Sequence, residues 1–360
     1  MNNPHFKQLE QAMTESVAFD DQPAQLIHLE NSNGVTVSFM DIGATWVSCH
    51  LPIGENGREV LLRSPSMAEH KKQTAYFGSI VGRYANRIAK GTFEIDGECY
   101  QVGINNGANS LHGGVIGLDK FRWNIDYQDK QQVVFFVTSP DGDQGYPGEL
   151  SIKVTYTLTD DNEVSIAYQA TTNQATPVNL TNHAYFNLAG ESTKFKSLDH
   201  TLQLEAPYYL PTNDELIPTG ELKPVQGTSF DFTQEKVIKA DFLTDEDQQL
   251  AGGYDHAFIF DSKFTDGNQV VATLTSPEQD LTMQIRTSKP AIQFYSGNFL
   301  AGTAGKSKQY ELYDGLALET QFYPDGPNHP EWREAAGILK PDESYNHSTV
   351  YHFHFCSENN

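Results

Sequence analysis

Basic side chains are scarce in this chain. Its 24 Lys and Arg stand against 47 Asp and Glu, a net charge of -23 over 360 residues. So acidic a surface repels phosphate backbones and anionic headgroups, which argues against nucleic-acid and membrane partners. Cysteine is nearly absent. Cys49, Cys99 and Cys356 are odd in number and widely spaced, which suits a reducing compartment and offers neither a disulfide framework nor a metal motif. No stretch approaches 18 consecutive apolar residues, so no spanning helix is expected. Residues 1–20 lack the apolar core of a secretory signal, so the expected location is cytoplasmic. A Gly-x-Ser-x-Gly elbow, a P-loop and a dinucleotide glycine fingerprint are all missing, which removes serine hydrolases and nucleotide or nicotinamide enzymes as first choices. Asp141-Gly142-Asp143 looks like the start of a calcium loop, but position 12 would be Ile152 instead of glutamate. His352 and His354 share a strand face without a third ligand nearby in sequence, a weak metal signal. Neither a metal nor a cofactor is expected.

What is present is a globular β protein. Hydrophobic residues make up 38% and aromatic residues 11%, enough for a sizeable core without cross-links. Short alternating segments separated by turn clusters dominate. Residues 92–100 read as a hairpin turning at Asp96-Gly97. Ile152, Val154, Tyr156 and Leu158 alternate up to Asp160-Asp161-Asn162, and Val164, Ile166, Tyr168 and Ala170 alternate away from it. Further strands are expected in 34–50, 133–138, 201–205, 257–260, 270–275, 281–287, 292–295, 316–322 and 350–355. The best helix candidates, 8–14 and 241–250, are short. The fold class that follows is all-β, a large antiparallel sandwich with few short helices. No repeat or linker divides it, so residues 26–357 form one expected domain, preceded by an extension, 1–25, with no assigned role.

Two segments carry the chemistry. In 316–322, Leu316, Leu318, Thr320 and Phe322 point one way, and Ala317, Glu319 and Gln321 the other. A carboxylate therefore projects from the less apolar face of a strand. Read as a strand, 178–187 places Asn179, Thr181, His183, Tyr185 and Asn187 on one face. A carboxylate and an imidazole, each among hydrogen-bonding side chains, are what acid–base chemistry on a polyhydroxylated substrate needs. Gly82-Arg83-Tyr84-Ala85-Asn86-Arg87 offers guanidinium forks suited to hydroxyl oxygens, or simply structural ion pairs. His112 precedes two glycines that allow close backbone approach, and equally reads as a satisfied loop histidine. Asp255 opens an apolar strand as a hydroxyl acceptor or a turn cap. Gln293 lies among aromatics in a plain strand pattern.

Together, 82–88, 109–114, 141–148, 182–188, 253–258, 293–299 and 318–330 resemble the motifs of the galactose mutarotases, or aldose 1-epimerases, in that family's order and over nearly the whole chain. The resemblance implies a sandwich of the galactose mutarotase type with an open sugar site. It implies Glu319 as general base, His183 as general acid, and His112 as a residue that assists at the ring oxygen or stabilises the developing charge. Asn86, Arg87, Asp255 and Gln293 would hold sugar hydroxyls. Ala184 stands where the family often has threonine, on the opposite face by alternation. The implied substrate is a small free aldose such as galactose or glucose, its anomers interconverted by ring opening and reclosure. An acidic neighbourhood is expected to raise the His183 pKa and keep it charged. The competing readings are a hexose-6-phosphate 1-epimerase, which needs a basic cluster, a non-catalytic sugar-binding module, and a glycoside hydrolase with Asp255 as second carboxylate. Monomer and dimer both remain open.

Overall fold

Alternation of apolar and polar side chains builds the larger of two main sheets. In Leu150–Leu158 and Glu163–Thr172 every second residue is buried, and the strands pair antiparallel across the expected turn. The computed structural model, which describes residues 4–355, extends this hairpin into a nine-stranded sheet. Its order is Asn124–Gln128, Gln132–Ser139, Leu150–Leu158, Glu163–Thr172, Tyr345–Phe355, Leu281–Thr287, Val270–Thr275, Thr201–Leu204 and Lys236–Val237. Cys356, and with it the expected domain end at 357, lies outside the described residues.

The second sheet differs in kind. Leu316–Gln321, Ala291–Tyr295 and Asp255–Ile259 are buried at every position. They form the middle of a six-stranded antiparallel sheet, flanked by Tyr185–Phe186 on one side and by Tyr208–Tyr209 and Lys223–Pro224 on the other. Leu316, Leu318, Ile292, Phe294 and Phe258 face the main core, which they share with Tyr156, Ile166 and Tyr351 of the larger sheet. Ala317, Glu319, Gln293, Tyr295 and Asp255 face the other way. A four-stranded sheet, Leu26–Glu30, Thr36–Met40, Thr45–Leu51 and Arg58–Glu59, adds Val37, Phe39 and Trp46 to the same core. The antiparallel sandwich expected from the strand spacing is the observed fold.

Two local expectations are corrected. Segment 178–187 is not one strand. Thr181–Asn182 pairs with Ile80–Val81, and Tyr185–Phe186 then pairs with Leu316 and Ala317. The chain changes partner between them, at His183, so a single face never runs its length. The helix expected over 241–250 splits into a 3₁₀ turn, Ile238–Asp241, and a shorter helix, Glu246–Ala251, stopped by Gly252 at φ 67°.

The N-terminal segment, for which sequence suggests no role, is docked. Leu9 and Met13 lie one helical turn apart on Pro4–Thr14 and pack with Ala18, Ala24, Met40, Ile42, Val47 and Met67. Arg122 then clamps the chain that follows, pairing with Asp20 at 2.5 Å and with Asp41. Met13→Ala should therefore cost about 2–5 kcal/mol, read as a lowered midpoint in denaturant unfolding. An unchanged midpoint would mean that the helix does not dock in solution.

Candidate active site

Sheet register sets the floor of the site. Gln293 lies opposite Glu319, and Tyr295 lies opposite both Ala317 and Asp255, so acid, amide and tyrosine share one face. His183 arrives from the partner switch in 178–187. Its backbone N–H donates to Ser79 O at 2.9 Å, and the neighbouring Asn182 amide donates to Gly78 O at 2.6 Å and accepts from Ala184 N–H at 3.0 Å. The switch is thus fixed on both sides of the histidine. His183 Nε2 stands 3.6 Å from Glu319 Oε1. Its ring stacks on Tyr185 and Tyr76, with centroids at 5.0 and 5.9 Å, and meets the His112 ring edge-on at 5.2 Å.

His112 is held by reciprocal bonds. The Asn86 N–H donates to His112 Nδ1 and the His112 N–H donates to Asn86 O, both at 3.1 Å. Tyr76, Asn86 and His112 all adopt left-handed backbone, at φ 56°, 65° and 51°. Such conformations are costly for side chains of this size and cluster at functional sites. Gly113, at φ +94°, completes the close approach: a Cβ there would lie 1.9 Å from Gly82 O.

These groups surround an open cavity of about 670 Å³, within the range of small-molecule sites. Glu319, His183, His112, Tyr76, Asn86, Arg87 and Asp255 line its inner part; Asn106, Asp214, Glu215 and Phe299 line the outer part. Arg87 Nη1 lies 3.8 Å from Asp255 Oδ2, and its Nε donates to Asn106 Oδ1 at 3.1 Å. Gln293 sits against Asp255, on the sheet face that carries Glu319. Its amide donates to Asp255 Oδ1 at 2.7 Å and accepts from Gln321 at 3.2 Å. Arg83, four residues before Arg87, is buried elsewhere and has no carboxylate partner among the described residues. It donates to Ser139 Oγ and to the carbonyls of Ser139, Pro140, Pro147 and Gly148, fastening the 141–148 loop. Loop 324–330 supports the site from behind, where Asp325 binds the Ala89 N–H and its own N–H reaches Arg87 O, both at 2.8 Å. Tyr76, Asp214 and Glu215 have no sequence pattern that marks them; each reaches the cavity through loop geometry alone.

Burial controls the charges. It raises the Glu319 carboxyl well above its ordinary range, with Asp255 adding to the effect and Arg87 opposing it. It lowers His183 to about 4 and outweighs the Asp255 charge that acts the other way. The expectation that acidic neighbours keep His183 charged is therefore corrected: desolvation of the imidazole wins. Both shifts favour the neutral form of each group. Glu319 Oε2 and His183 Nδ1 are buried with no hydrogen-bond partner among the described residues, so each group of the pair has one polar atom without the bond that buried groups require.

Donor atoms of His112, His183 and Glu319 lie within 4.8 Å of one another, a set that invites a metal reading. The tautomer argues against it. His112 Nδ1 accepts from the Asn86 N–H, so the neutral ring carries its proton on Nε2 and offers the cavity a donor, where a metal-bound histidine would need the reverse. Burial and the cations Arg87 and Lys120 hold His112 well below the usual histidine range. Histidine ¹⁵N NMR should show His112 neutral, protonated on Nε2, and still untitrated through the ordinary histidine range. A protonated Nδ1 would contradict this reading.

A β-sandwich that sets a buried carboxyl against two imidazoles, with Asp, Arg and Asn around an open cavity, defines an acid–base site for a hydroxyl-rich ligand. The sequence profile of the aldose 1-epimerases matches residues 25–352. The chain is 46% identical over 342 residues to an aldose 1-epimerase of Escherichia coli (strain K12), covering 94% of this chain and 98% of that one. It is 44% identical over 297 residues to a galactose mutarotase of Sus scrofa, covering 82% and 84%. Its fold is similar to that of a GalM/aldose epimerase homologue from C. elegans, with TM-score 0.84 and 30% identity over 92% of this chain and 99% of that one. A galactose 1-epimerase from Lactobacillus acidophilus gives TM-score 0.80 at 29% identity, covering 93% and 96%. The chain belongs to the aldose 1-epimerase family.

Proposed function

We propose that this protein interconverts the α and β anomers of free aldohexoses such as galactose and glucose, with Glu319 and His183 as the acid–base pair. The observation that carries the reading is the 3.6 Å approach of the two buried groups, each of which lines the cavity and has one buried atom without a hydrogen-bond partner. In this reading the free pair carries one proton, on Glu319; bound sugar hydroxyls replace the missing partners, and the proton moves from Glu319 to His183. Glu319 then takes the C1 hydroxyl proton, and His183 gives its proton to the ring oxygen O5 as the C1–O5 bond breaks. One proton has passed from O1 to O5, and the pair is back in its neutral form beside the open aldehyde. Rotation about C1–C2 and reversal of the transfers close the ring as the other anomer. His112 Nε2–H donates to charge developing at the ring oxygen. Asn86, Arg87 and Asp255 hold hydroxyls, while Gln293 acts on the sugar through Asp255, which it orients.

Free sugar is favoured over sugar phosphate. Among the described residues Arg87 is the one Lys or Arg lining the cavity; it already faces Asp255, and Asp214 and Glu215 stand at the outer wall. A non-catalytic sugar module would leave the buried pair without a purpose. No helix of the described chain is long and apolar enough to cross a membrane; a cytoplasmic location and a single domain over 26–357 complete the proposal.

Polarimetry on fresh α-D-galactose tests it. The wild type should outpace the spontaneous rate, and Glu319→Gln should lose about 10²–10⁴-fold of kcat. Full activity in that variant would remove Glu319 from the chemistry. The pH profile of kcat/KM reports the free enzyme. Its acid limb should fall near pH 4, where His183 adds a second proton to the pair. Its alkaline limb falls above the ordinary carboxylate range, where Glu319 loses the first. These limbs belong to the coupled pair. An acid limb in the ordinary histidine range would show that burial does not govern it.

A further inference from the structure

The strand bearing Glu319 and the segment bearing His183 share a hydrogen-bond ladder at one end only. Tyr185 and Phe186 pair with Ala317 and Leu316. The segment then leaves to join Ile80–Val81, so Leu318–Gln321 has no ladder on that side. His183 and Glu319 face each other across this splay, and backbone pairing does not set its width.

Side chains fill the gap. At the far end Asn179 Oδ1 accepts from the Phe322 N–H at 2.9 Å, and its Nδ2 donates to Ala85 O at 3.2 Å. Between that contact and the ladder stands Lys289, wholly buried. Its Nζ donates to Leu180 O on one side of the splay and, at 3.3 Å, to Thr320 O on the other, and lies 3.8 Å from the centre of the Tyr168 ring. No carboxylate pairs with it among the described residues. Burying a lysine without a counter-charge opposes folding, whether as a desolvated cation or as an amine that burial has driven toward its neutral form, and an apolar side chain of that length would fill the same space. The carbonyls it joins are three residues before His183 and one after Glu319. It also leads, through Pro290, into Ala291–Tyr295, which carries Gln293 opposite Glu319.

We propose that Lys289 is a positioning residue for the acid–base pair: it replaces the missing ladder with two side-chain hydrogen bonds and so fixes the separation of His183 from Glu319. The inference rests on the reading of those two residues as the pair. Nothing in it requires Lys289 to touch the sugar.

The test compares wild type, Lys289→Met and Lys289→Gln by thermal melting, galactose polarimetry and ¹³C NMR titration of His183. K289M should stay folded and keep KM within about twofold. Its kcat should fall by about 10²-fold, the scale of a 1 Å misplacement of reacting groups, and the alkaline limb of kcat/KM should move. The amide of K289Q can still donate to both carbonyls and should recover about tenfold of the loss. A K289M variant that melts lower yet keeps wild-type kcat and pH profile would overturn the proposal, as would failure of both variants to fold. A wild type inactive on every aldose would sink the proposed reaction instead. The His183 titration, which needs no turnover, would then still decide whether Lys289 sets the pair.

Discussion

Burial of a carboxyl beside an imidazole is the constraint on which the proposed chemistry depends. Desolvation drives both groups toward their neutral forms, one upward and one downward. Neither tolerates charge in the empty cavity, yet together they need only pass a proton across 3.6 Å to become an ion pair. Ring opening requires a base at O1 and an acid at O5 at once. A pair holding a single proton supplies both without drawing a proton from solvent. The acidic surface, with its net charge of -23, contributes less to this balance than burial does, because exposed charges are screened.

The fold serves the pair through one strong element and one interrupted one. Leu316–Gln321 is a continuous central strand whose neighbour, Ala291–Tyr295, locks Glu319 in register. The His183 segment changes partner at the histidine, so the sheet opens where the chemistry sits. Asn179 and Lys289 bridge the opening with side-chain bonds, and Asn182 ties the switch to Gly78 O on its other side. On the cavity wall, left-handed backbone at Tyr76, Asn86 and His112 positions two rings and an amide.

Features set by local periodicity were legible in the sequence. The Leu150–Leu158 and Glu163–Thr172 hairpin and the turn at Asp96-Gly97, with φ 54° and 85°, follow from neighbouring residues alone. So does the face from which Glu319 projects. What depends on distant partners was not legible. Alternation made 178–187 look like one strand because pattern cannot reveal a change of neighbour. Arg83 and Arg87 sit four apart in one motif, yet the first latches a loop and the second lines the cavity. That the Gln293 amide donates to Asp255 depends on the pairing of two distant strands and has no local signal. The protonation of Glu319 and His183 follows from tertiary burial, which the acidic composition misrepresents.

Infrared difference spectroscopy of galactose binding at neutral pH tests the shared proton most directly. The account predicts a protonated-carboxyl band in the sugar-free protein that disappears on binding and is missing from Glu319→Gln. A spectrum showing ionised Glu319 before galactose is added would contradict it.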